Sequence, residues 1–81
     1  MSFRAALFIE HHRKVTAAEL RVGDVVPALF GWDSVCEVHD ATIDYVNVCF
    51  TLGGWRTLDP EKIFARVNGH AAQLMMGVVA D

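Results

Sequence analysis

An 81-residue chain with 53% hydrophobic side chains makes one small packed domain, excludes a disordered segment, and leaves apolar groups to spare for self-association or a hydrophobic partner. The formal net charge of −3 and a pI near 5.7 exclude the broadly basic footprint of a dedicated phosphate binder. The longest apolar run, residues 71–80, is broken by Gln73 and falls short of the roughly 18–20 residues of a membrane span.

From the N-terminus, Phe3, Ala5, Leu7 and Ile9 alternate and predict a strand over 3–9, which a helix fits less well. The apolar run 5–9 ends at Glu10 and is too short for a secretory leader, so the expected location is the cytoplasm. His11, His12, Arg13 and Lys14 read as a solvated turn, with a local basic patch as the alternative. Thr16-Ala17-Ala18-Glu19 has the form of a capping box over a single helical turn, in which the hydroxyl accepts from the amide three residues on and the carboxylate reaches back. Gly23 and Asp24 end it, and Val25-Val26 open a short strand. Pro27 cannot donate to a ladder, so it belongs at a sheet edge or a strand end. Residues 28–33 read as a loop in which Trp32 either folds back to plug the core or stays exposed for docking.

Residues 34–58 predict an antiparallel meander. Over 43–52 the side chains alternate, with Val46, Val48, Phe50 and Leu52 on the core face and Tyr45, Asn47, Cys49 and Thr51 on the other. Gly53-Gly54 predicts a tight hairpin with positive φ at both glycines, and Trp55 beside it admits the same two readings as Trp32. A shorter strand over 35–39 precedes a turn at 40–42. Downstream, Asp59-Pro60-Glu61-Lys62 predicts one helical turn with Asp59 as its cap, 63–67 a last short strand, and Asn68-Gly69 a turn. Ala71, Leu74, Met75, Val78 and Val79 then space as one stripe of a short helix, with a strand as the alternative.

Cys36 and Cys49 are the only cysteines. Strand alternation sets Cys36 with Val38 toward the core and Cys49 away from it. Side chains on opposite faces cannot meet disulfide geometry, so both are expected as free thiols in a reducing compartment.

Three features recur in order: the capped turn running through Leu20-Arg21-Val22-Gly23-Asp24-Val25-Val26, the Trp32 loop entering the meander, and the turn at 59–62 before the final strand. Together they resemble SH3-like small β-barrels, the group that includes KOW-type modules. The pattern of residues 20–26, Val46-Asn47-Val48-Cys49-Phe50 and Gly53-Gly54 also looks like that of small proteins from actinobacteria and their phages. The resemblance covers residues 15–67 and implies a mainly β single domain: a barrel of about five short antiparallel strands, with 1–14 and 68–81 as additions. For a phage-encoded chain it would place the protein in the host cytoplasm. Barrels of this kind bind peptides, bind RNA or assemble into oligomers, so the resemblance implies a fold and not a function.

The chain contains no G-x-S-x-G, no phosphate-binding glycine loop with Lys, no H-E-x-x-H and no C-x-x-C. A metal site needs three or four converging ligands, and His11, His12, His39, His70 and the cysteines are not spaced to converge. Asp40 and Asp44 flank one turn and read as solvated acids. The expectation is therefore a non-enzymatic protein-interaction module without cofactor or metal. Its partner is a protein or a second copy, and no membrane is involved. Trp32, Tyr45 and Trp55 are the candidate partner-binding residues, and Leu74, Met75 and Val78 the candidates for self-association. The alternative is a nucleic-acid-binding barrel in which Arg13, Lys14, Arg21, Arg56 and Arg66 neutralise phosphates and a tryptophan stacks on bases.

Overall fold

The computed structural model describes residues 2–29 and 31–77. The elements run α1 (Phe3–His11), β1 (Arg13–Thr16), a 3-10 turn (Ala17–Glu19), β2 (Val25–Ala28), β3 (Gly31–His39), β4 (Val46–Phe50), β5 (Gly54–Leu58), β6 (Ile63–Arg66) and α2 (Gly69–Gly77). The fold is mainly β. Four strands form one antiparallel sheet in the order β2-β3-β4-β5, and β1 pairs with β6 in a second. The isolated Val25–Val67 bridge, with both backbone bonds formed at 2.8 and 2.9 Å, joins them. The two sheets are not closed into a barrel.

The meander follows from side-chain alternation. Val46, Val48 and Phe50 are buried, while Asn47 and Cys49 face out half-covered. Asn47 is satisfied across the sheet, accepting from the Thr57 hydroxyl at 2.7 Å. The hairpin after β4 forms where the two glycines stand, but its loop is Thr51-Leu52-Gly53 and only Gly54 has positive φ, at 75°. It is therefore a three-residue loop entering a left-handed residue, not the two-residue turn predicted. Pro27 sits in β2, an edge strand, as its missing amide requires.

Three expectations change. Residues 3–11 are helical. Ser2 caps the helix, its hydroxyl accepting from the Ala5 amide at 3.1 Å, and the Phe8 and His12 rings stack one turn apart. The apparent alternation of small and apolar residues carried no strand. Arg13 and Lys14 belong to β1 instead of a turn. The expected loop over 28–33 is mostly strand, because β3 begins at Gly31 and pairs back onto β2. At 59–62 the chain makes one tight turn. Lys62 donates its amide to the Asp59 carbonyl, and Glu61 donates its amide to the Asp59 carboxylate.

Adjacent Val25 and Val26 point to opposite sides and so serve two cores. Val26 joins Leu20, Val35, Val46, Val48 and Phe50 between the sheets. Val25 joins Val67, Ala72 and Met75, against which Leu7, Phe8 and Trp32 pack. The second core is where α1 and α2 meet β2. The helix predicted over the C-terminal stripe is present, but it buries Ala72 and Met75 and leaves Leu74 partly exposed.

Candidate functional site

Two edge strands face one concavity. β2 and β5 are the ends of the four-stranded order, and between them, closed below by β6, lies a groove of about 450 Å³. That size falls within the range of about 300–1,000 Å³ typical of small binding sites. Its floor is apolar: Val26, Phe50, Leu58 and Phe64. Leu29, at the end of the β2–β3 hairpin, and Leu52, in the β4–β5 loop, form its lip and are strongly exposed. Two cations complete the lining. Arg56 lies opposite Val48 across β4–β5 and therefore points to the inner side. The Lys62 ammonium rests 5.5 Å from the centre of the Phe64 ring. Among the described residues neither cation is ion-paired.

The lip is held by a buried carboxylate. Asp33 is 5% exposed. Its Oδ1 accepts from the Ser34 and Leu52 amides at 2.8 and 3.0 Å, and its Oδ2 from the Gly53 amide at 2.9 Å. Three backbone donors satisfy the charge, so Asp33 orders the 51–53 loop and with it Leu52. A second buried acid, Asp24, accepts from the Arg21 amide at 2.8 Å and lies 3.8 Å from the Arg66 guanidinium.

At the other end of β4, residues 40–45 form a compact turn. The Thr42 hydroxyl accepts from the Asp44 and Tyr45 amides and donates to the Tyr45 carbonyl, while the Thr42 amide donates to that same carbonyl. The turn projects Ile43, which is 93% exposed, with Asp40 and Asp44 on either side.

The residues expected to bind a partner are dispersed. Trp32 lines the groove and packs on Phe8, ring centres 4.7 Å apart. Trp55 is 53% exposed on the outer face of the sheet, edge-on to His39 at 5.4 Å. Tyr45 is exposed at the base of the 40–45 turn. Met75 is fully buried in the second core and supplies no surface, Leu74 lines a shallow cleft with His11 and His70, and Val78 lies outside the described residues. The arginines also divide. Arg56 lines the groove. Arg13, Lys14 and Arg66 lie on β1 and β6, and Arg21 donates to the Ala18 and Leu20 carbonyls. Among the described residues no three His, Cys, Asp or Glu side chains converge as metal ligands, and no helix is long and apolar enough to cross a membrane. Leu29 and Lys62 carried no sequence signal beyond residue type, whereas Leu52, expected on the core face of the meander, lies in the β4–β5 loop and is 78% exposed because β4 ends at Phe50. All three join Arg56 only because the sheets stay open.

Comparison with protein-family models, with curated proteins and with solved structures gave no match.

Proposed function

We propose that this protein is a non-enzymatic protein-interaction module that assembles with further copies of itself, the groove of one copy receiving the 40–45 turn of the next. The observation that carries this reading is complementarity. The groove has an apolar floor with Arg56 and Lys62 on it, and the turn presents an exposed Ile43 between Asp40 and Asp44. The turn projects into solvent and lines no part of its own chain's groove.

The two patches are different surfaces, so the contact is heterologous. Such contacts propagate head to tail into rings or open chains. Burying one isoleucine contributes about 1.5–3 kcal/mol, and exposed ion pairs add about 0–1 kcal/mol each. Association is therefore weak and needs high protein concentration to populate.

The test is a charge exchange. Arg56→Glu with Lys62→Glu, and separately Asp40→Lys with Asp44→Lys, each lower the solution mass at a concentration where the unmodified chain associates. Mixing the two variants restores association, because the unchanged groove of one meets the unchanged turn of the other and the acidic groove meets the basic turn. Unchanged mass in either variant, or no recovery on mixing, overturns the reading. So does a monomer that uses the groove only for a different protein or for a nucleic acid.

A further inference from the structure

The irregularity in β3 brings the two cysteines to one face. Val35 pairs with Phe50 and Glu37 with Cys49, so Cys36 is an extra residue bulged out of the ladder. A bulge lets two successive side chains point the same way. Val35 is accordingly buried, Cys36 and Glu37 are both exposed, and Val38 turns in again. Cys36 thus stands beside Cys49 on the outer face, opposite the groove, and its thiol donates to the Cys49 carbonyl at 3.1 Å. The expectation that alternation separates the two thiols is overturned. Both remain free thiols.

In a bulge two successive residues oppose one residue of the partner strand, so Cys36 and Glu37 both face Cys49, and the Cys36 sulfur, 3.1 Å from the Cys49 carbonyl oxygen, lies within side-chain reach of the Cys49 thiol. We propose that Cys36 and Cys49 form a dithiol modification site that hydrogen peroxide closes to an internal disulfide between β3 and β4. The exposed Cys36 sulfur attacks one peroxide oxygen. The O–O bond breaks, the Cys36 proton leaves with the departing oxygen as water, and a sulfenic acid remains on Cys36. The Cys49 sulfur then attacks the Cys36 sulfur and the S–O bond breaks. The hydroxyl takes the Cys49 proton and leaves as a second water. Two thiols and one peroxide become one disulfide and two waters, two electrons passing from sulfur to oxygen.

The division of roles follows from surroundings. Cys49 is half-buried, and its hydrogen bond with Cys36, burial and the nearby charges of Cys36, Glu37 and Asp33 push its thiol up to about 11. The exposed Cys36 meets the oxidant first, and Cys49 gives up its proton only in the second step, as it closes on the Cys36 sulfur.

The experiment treats the folded chain with hydrogen peroxide and follows intact mass, free-thiol content and peptide map without reductant. The expected result is loss of both free thiols and of two hydrogens from an otherwise unchanged chain mass, a linked Cys36–Cys49 fragment, and full reversal by dithiothreitol. Cys36→Ser and Cys49→Ser each abolish the product. Separate sulfinic or sulfonic acids, disulfides only between chains, or two persisting thiols overturn the proposal. The peptide map of the unmodified chain decides even where a serine variant fails to fold.

Discussion

Replacing Asp33 by alanine removes the acceptor that holds the groove's lip. Three backbone amides, those of Ser34, Leu52 and Gly53, lose their only side-chain partner. Bonds to a charged acceptor contribute about 1.5–3 kcal/mol each, and a part-buried donor left without a partner costs about 1–3 kcal/mol. The Ser34 bond is to the adjacent residue and is left out of the count. Counting the Leu52 and Gly53 amides at the lower end gives a loss of about 3 kcal/mol. An 81-residue domain has a total stability of about 4–12 kcal/mol, so this one carboxylate accounts for a quarter or more of it. Urea unfolding followed by tryptophan fluorescence measures the effect. At a slope of about 1 kcal/mol per molar, the midpoint falls by about 3 M. Asp33→Asn keeps one acceptor oxygen but presents an amide donor to a second backbone N–H, so its loss is comparable. A shift of less than about 1 kcal/mol for Asp33→Ala refutes the claim that this side chain orders the loop.

Leu20→Ala, at a fully buried position in the first core, costs about 2–5 kcal/mol, whereas Ile43→Ala, at the tip of the exposed turn, changes stability by no more than about 0.5 kcal/mol while weakening self-association. Paired denaturation and light-scattering curves separate the two. Glu19 accepts from both the Thr16 amide and hydroxyl, at 2.8 and 3.0 Å, and these bonds hold its carboxyl below the ordinary 4.5. The unfolded chain therefore takes up that proton first. The contribution is present above the ordinary value and is lost as pH falls through the folded one. Glu19→Gln flattens the fall in melting temperature on acidification, and an unchanged acid profile contradicts this assignment.

The parts of the fold that show in the sequence are those a local rule decides. Alternation over 46–50 sets the buried face of β4, Pro27 marks an edge, and the glycine pair locates the hairpin. The 16–19 box is present, with the Glu19 carboxylate accepting from both the Thr16 amide and the Thr16 hydroxyl. Where two rules compete, the sequence is silent. Phe3, Ala5, Leu7 and Ile9 fit a strand better than a helix by alternation alone, yet the segment is α1, capped by Ser2 and packing Leu7 and Phe8 on the second core. One bulged residue reverses the face of Cys36, because strand side chains have a period of two. The groove has no sequence signature. It depends on β2 and β5 both remaining edges, which brings residues 29, 52, 56 and 62 together from four different segments. The stripe near the C-terminus marks a helix correctly, yet which of its residues face inward is decided by α1 and β2, and this turns Met75 from surface to core.

The most direct test of the central claim is the weight-average mass of the unmodified chain by light scattering, taken up to millimolar concentration under reducing conditions. A head-to-tail contact between groove and turn gives a mass that starts at the monomer and keeps rising past the dimer. A mass that stays at the monomer, or stops at a dimer that the Arg56→Glu and Lys62→Glu changes leave intact, contradicts it.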